Sequence, residues 1–204
     1  MTKTLLSIGG DAKTRKGEKR GYLTGIMYLT PYTGGGKNLC AMAAINKCHE
    51  TCLYTAGRGK LSSVHTGRLR RTTWYNEDPK SFMQFLIDKE IPRLLRTAER
   101  AGMTPMVRLN GTSDIVWERK HPEVFEAFPD VQFYDYTKIP TRGYDLPPNY
   151  HLTWSYSGAN PRADKHMEAA LHNGINVAVV FRKDKPATWR GFPVIDGDEN
   201  DLRS

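Results

Sequence analysis

Apolar positions in the second half of the chain come in short runs rich in β-branched and aromatic residues. The runs are "TPMVRLN" (Thr104–Asn110), "VQFYDYT" (Val131–Thr137), "YHLTWSYS" (Tyr150–Ser157) and "INVAVVF" (Ile175–Phe181), and each predicts a strand. Between the last two the period lengthens: Met167, Ala170 and Leu171 form a helical stripe, Asn160-Pro161 supplies an N-cap and first-turn proline, and Gly174 supplies a stop. A second helical segment opens at Asp78-Pro79 and ends at Gly102. It puts Phe82, Phe85, Leu86, Leu94, Leu95 and Ala98 on one face, while Pro92 predicts a kink or split. In the N-terminal third, Tyr22–Thr30 predicts a strand, Pro31–Gly36 a loop, and the stretch around Ala43–Tyr54 a helix.

Strands alternating with helices imply a parallel sheet with right-handed crossovers. The predicted fold is therefore α/β, one domain over residues 1–204, built as a small or incomplete parallel (β/α) barrel of the TIM type. Such folds carry their sites at the carboxyl ends of the strands. The polar residues expected there are Asn110, Gly111, Thr112, Ser113 and Asp114, then Asp135, Thr137 and Lys138, then Ser155, Ser157 and Asn160, and finally Arg182. Singly, Asp114 and Asn160 read as helix N-caps, and Ser or Thr at a strand end closes a turn. On one rim together they line a pocket.

Composition narrows the classes without choosing one. With 39% hydrophobic and 25% charged residues the chain can bury a sizeable core, and no apolar run is long enough to span a bilayer, so no membrane partner is expected. The formal net charge is +8, with basic side chains crowded in Lys13–Arg20 and Arg58–Arg71. These runs are either a solvated basic surface or the footprint of an anionic partner, such as a phosphate-bearing cofactor or nucleic acid. In the nucleic-acid case Trp74 and Tyr75, beside Arg68–Arg71, would offer stacking faces; otherwise they are packing residues.

All three cysteines lie in "LCAMAAINKCHETCLY", residues 39–54, as Cys40, Cys48 and Cys52 in the spacing C-x7-C-x3-C. An odd count and no recognisable signal peptide point to a reducing cytoplasm rather than a disulfide scaffold. Structural zinc wants a closed set of four ligands, and the obvious fourth, His49, adjoins Cys48, which makes binding the same ion awkward. A cubane [4Fe-4S] cluster accepts three thiolates and leaves its fourth iron open to a small-molecule ligand, solvent or substrate. Unligated thiols are the third reading. On the cluster reading, residues 37–60 form the cluster-binding loop.

A three-cysteine loop following the first barrel-like strand, with polar strand ends downstream, resembles the radical S-adenosylmethionine superfamily. That resemblance implies S-adenosylmethionine at the open iron, held through its amino and carboxylate groups. By positional analogy Asn110, Gly111 and Asp114 would face the open iron. Ser155 and Ser157 would bond a ribose or substrate hydroxyl, and Lys138 and Arg182 would complement a carboxylate or phosphate. A longer resemblance covers almost the whole chain. The blocks "SIGGDAKTRKGEKRGYLTGIMYLTP", "CLYTAGRG", "VRLNGTSDIVWE" and "VIDGDENDLR" are similar to those of the phage gene product 88 family. This implies phage origin and the cytoplasm of an infected bacterium. The expected function is a cluster-dependent redox enzyme fed by a host electron donor. The rivals are a cluster protein for electron transfer or Lewis-acid chemistry without S-adenosylmethionine, and a basic nucleic-acid or host-interaction protein with a structural metal.

Overall fold

The computed structural model describes residues 4–9, 14–50, 52 and 61–197. Six strands form one sheet in chain order: β1 (Leu6–Ile8), β2 (Tyr22–Met27), β3 (Thr104–Arg108), β4 (Gln132–Thr137), β5 (Tyr150–Ser155) and β6 (Asn176–Ala178). β1 runs antiparallel to β2, and every pairing from β2 to β6 is parallel. The helices are α1 (Thr14–Glu18), α2 (Ser62–Glu77), α3 (Pro79–Phe85), α4 (Ile91–Ala101), α5 (Trp117–Lys120), α6 (Glu123–Glu126) and α7 (Ala163–His172). A two-stranded hairpin, β7 (Thr188–Trp189) with β8 (Phe192–Pro193), follows the sheet.

Of the small or incomplete parallel barrel expected, the α/β class and a mostly parallel sheet are found. Among the described residues no pairing joins β6 to β1, so the sheet is open. Parallel neighbours in chain order still send each right-handed crossover to the same face. Alternation along the strands fits this: Leu23, Met27, Val107, Phe133, Tyr150 and Leu152 enter one core with Phe82, Leu86, Ile91, Leu94 and Ala98 of the helical segment. Full burial of each such side chain contributes about 1.5–3 kcal/mol. At Gly25 the helix comes in close, since an added Cβ would lie 2.9 Å from Leu94 Cδ2. A smaller core of Trp154, Met167, Ala170 and Ile175 seats α7.

The long helical segment shows how the chain accommodates its proline. Asp78 caps α3, its carboxylate accepting from the Ser81 amide at 3.0 Å, with Pro79 in the first turn. A straight α-helix would drive the Pro92 ring into the carbonyl four residues earlier. Instead Leu86–Glu90 widens into a π turn, with the Ile91 amide donating to the Leu86 carbonyl, before α4 begins. Gly102, at φ +63°, ends the segment in the left-handed region.

Glu90, in that π turn, pins the edge strand. Its Oε2 accepts from the Leu5 and Leu6 amides at 2.7 and 2.8 Å, and Arg93 donates to both carboxylate oxygens at 3.1 and 3.0 Å. Burial pushes the carboxyl up, but Arg93 and the two amides outweigh it and hold the group below its ordinary value of 4.5. Its stabilisation is thus full above pH 4.5 and is lost as the pH falls through the lowered value. Glu90→Gln is expected to cost about 1–3 kcal/mol at pH 7. The gap between variant and wild type in urea denaturation should shrink in acid; a gap that widened there would refute the assignment.

Other boundaries moved. The helix expected around Ala43–Tyr54 is absent over residues 43–50, which form turns, while 51, 53 and 54 lie outside the described residues. One turn starts, with the Asn46 amide donating to Met42. It then closes: the Cys48 amide donates to Ala43, the Lys47 amide donates to Ala44, and Lys47 sits at φ +52°. That is a Schellman stop after a single turn. α7 begins after Arg162 rather than at Asn160, whose Oδ1 accepts from the Arg162 amide at 2.9 Å. The strand expected over Ile175–Phe181 shortens to Asn176–Ala178.

Candidate functional site

Parallel pairing of β2 to β5 puts the segments after those strands on one edge, where hydrogen bonds link them laterally. Beyond β2 the chain comes back beside the β3–α5 loop: Cys40 forms a parallel bridge with Asp114, whose amide donates to the Leu39 carbonyl at 2.8 Å. Asp114 in turn accepts from Thr137 Oγ1 and the Lys138 amide, both at 2.8 Å, beyond β4. Lys138 Nζ donates to the Ser155 carbonyl at 3.1 Å, beyond β5. Finally Ser157 Oγ donates to the Asn46 carbonyl at 3.1 Å, and Asn160 Nδ2 to Asn46 Oδ1 at 3.3 Å, which returns the circuit to the cysteine loop.

The three thiols stand at this corner and none is in a disulfide. Cys40 Sγ accepts from the Tyr32 amide at 3.3 Å and lies 3.9 Å from the Thr112 carbonyl; Cys48 Sγ lies 3.9 Å from the Asn46 carbonyl. The charges of Asp114 and Cys52 bear on both Cys40 and Cys48, and that of Lys138 on Cys48. Burial pushes the Cys40 thiol up to about 11 against the Tyr32 amide, with Asp114 and Cys52 adding to the rise. Burial likewise raises Cys48 while Lys138 opposes it. Neither is a low-pKa nucleophile. Among the described residues, no group of three or more His, Cys, Asp and Glu side chains is gathered as one metal ion would require. His49 is engaged elsewhere, its Nδ1 3.3 Å from the Ala43 carbonyl and its ring stacked on Tyr32 at 5.5 Å.

A buried charge network that the sequence reading missed lies under the corner. Arg142, 1% exposed in its side chain, donates through Nε and Nη2 to the two oxygens of Glu118 at 2.9 and 2.7 Å. Its Nη1 donates to Asp114 at 2.9 Å and its Nη2 also to Tyr150 Oη at 2.9 Å. Tyr150 passes the contact on, donating to Asp135 Oδ2 at 3.0 Å. Burial pushes the Asp135 carboxyl up to about 6 even with Arg108 nearby, and burial raises Asp114 against the pull of Arg142. The partners lie 8–28 residues from Arg142 and share no periodicity.

The remaining expected residues divide by role. Asn110 is committed to its own loop and to β4: Oδ1 accepts from Ser113, the Ile115 amide and the Trp117 indole, Nδ2 donates to the Ile115 carbonyl and to Asp135 Oδ2, and its amide donates to Asp135 Oδ1. At Gly111 an added Cβ would stand 2.6 Å from the Met27 carbonyl oxygen, so this position admits no side chain without displacing the end of β2. Arg182 is exposed beyond β6 and enters none of the hydrogen bonds of the corner. Trp74 and Tyr75 serve as packing residues, with Tyr75 buried against Phe82 and Trp117 and Trp74 packed on Phe82 and Phe85. Of the loop 37–60, residues 51 and 53–60 lie outside the described residues. No helix among the described residues is long and apolar enough to cross a membrane.

Comparison with known proteins gives a family and no chemistry. A family model described as Gene product 88 matches residues 4–204. No curated protein and no solved structure matches, so neither comparison supports the likeness to the radical S-adenosylmethionine superfamily.

Proposed function

The chain belongs to the gene product 88 family of phage proteins, and since that description names no reaction, we propose a function from the carboxyl edge of the sheet: a [4Fe-4S] protein using an open iron in redox chemistry. The observation that carries it is the return of the cysteine loop onto the strand ends, with Cys40 bridged to Asp114 and Asn46 tied to Ser157 and Asn160. Cys40 is thereby set against an anchored polar rim, with Cys52 near enough to bear electrostatically on both Cys40 and Cys48. What supports the group is ligand count alone: the chain has three thiols and no fourth, which is the set a cubane with one open iron would take. Since they are not gathered as a metal group among the described residues, binding would have to draw them together.

Cys40, Cys48 and Cys52 would hold the cluster, which when bound supplies one-electron chemistry and an open coordination position. The rest is done by the chain. Lys138, desolvated and facing Cys48, offsets the negative charge of the thiolates and offers a cation to the carboxylate of an incoming small molecule, S-adenosylmethionine among the candidates. Asp114 holds the backbone of Lys138 and keeps one lone pair of Oδ2 for a donor on that molecule. On this reading the protein works in the infected bacterium's cytoplasm with a host electron donor.

Electron paramagnetic resonance of protein reconstituted with iron and sulfide without oxygen, then reduced, tests this. A cubane signal that S-adenosylmethionine perturbs is the expected result. Perturbation by cyanide but not by S-adenosylmethionine would assign the open iron to other chemistry, and stoichiometric zinc without iron would overturn the proposal.

A further inference from the structure

Away from the thiols, a groove of about 540 Å³ runs between α2 and the start of β1. Leu5, Leu69 and Trp74 supply apolar lining, Arg70 and Arg71 stand along the wall, and Glu77 marks one end. The exposed helix positions on it run from Thr66 to Glu77, three turns or about 16 Å at 1.5 Å per residue. That length exceeds a single nucleotide and suits a short extended strand.

We propose that this groove binds single-stranded nucleic acid, with bases against Leu69 and the exposed part of Trp74 and with phosphates along Arg70 and Arg71. Charge complementarity selects this occupant. Arg70 and Arg71 are adjacent on the groove wall, with the buried Arg68 behind them on the same helix, and the chain carries +8. Arg71 Nε donates to the Tyr28 carbonyl at 2.9 Å, and Arg68 lies over the same residue's ring at 5.3 Å, so Arg71 is held in place on the wall. Burial first, and then repulsion from Arg70 and Arg68, push Arg71 down to about 10, and a phosphate would relieve the repulsive part. Apolar faces beside a cationic wall are how strands are gripped without base-specific readout. The proposal is independent of the cluster reading.

Fluorescence anisotropy of a labelled oligothymidylate with the full chain tests it. Saturable binding that weakens as salt rises is the expected result. Arg70→Glu should weaken it about tenfold and Leu69→Ser about threefold, with circular dichroism unchanged because both side chains are exposed. Absence of binding at low salt, or equal binding by wild type and both variants, would overturn it. So would competition by polyaspartate as effective as that by unlabelled oligothymidylate, which would reduce the groove to a generic cationic patch.

Discussion

Alanine in place of Cys48 is expected to leave anaerobically reconstituted protein without its sulfur-to-iron charge-transfer absorbance and with iron near background. The same holds for Cys40 and Cys52. Removal of an outer-shell partner costs metal affinity roughly 10–100-fold, and loss of one of three direct ligands should exceed that. His49→Ala is the control, since its ring is occupied by the Ala43 carbonyl and the Tyr32 stack and should not matter to iron content. Iron retained in all three cysteine variants would end the assignment. Because the ligands bind deprotonated, iron loading should also fall as the pH drops, and the raised Cys40 thiol extends that dependence to higher pH.

The largest stability effect is expected at Arg142. Its guanidinium satisfies two carboxylates that are themselves 4% and 12% exposed, so Arg142→Met leaves Glu118 and Asp114 buried without their cation. Breaking such a pair from one side costs about 3–5 kcal/mol. Urea denaturation should show that loss, and Arg142→Met combined with Glu118→Gln should recover part of it. Arg142→Lys should recover little, since a lysine cannot reproduce the forked contact with both Glu118 oxygens. A loss under about 1 kcal/mol would mean that the network is solvated and does not anchor Asp114.

What could be read in advance follows from range. β2 to β5 showed themselves because a half-buried strand writes its period into its own residues, as in Phe133, Tyr150 and Leu152. The shared rim followed from their parallel order. Three-residue β1 is too short to show a period, and α2 carries Arg68, Thr72 and Tyr75 inward instead of an aliphatic stripe. The cysteine stretch looked helical because Ala43, Ala44 and Asn46 permit a helix. The stop is a backbone choice at Lys47 that no residue type announces. Arg142 was invisible for another reason: an arginine in a loop reads as surface, and only the assembled fold surrounds it with Glu118, Asp114 and Tyr150.

Asn46 meets Ser157 and Asn160 across separations of 111 and 114 residues. Closing so long a stretch of chain is an entropic cost that nearby contacts do not offset, and contacts of this kind form late. A ribosome releasing the chain from its N-terminus makes the thiols early, their partner Asp114 next and the Ser157–Asn160 side of the seat later. The Asn46 end of the cysteine loop therefore waits, unlatched, until residues near 160 have emerged and β5 has joined the sheet. On the proposed cluster reading, loading would be complete only after residues near 160 have emerged, and a chain cut short of them should load poorly.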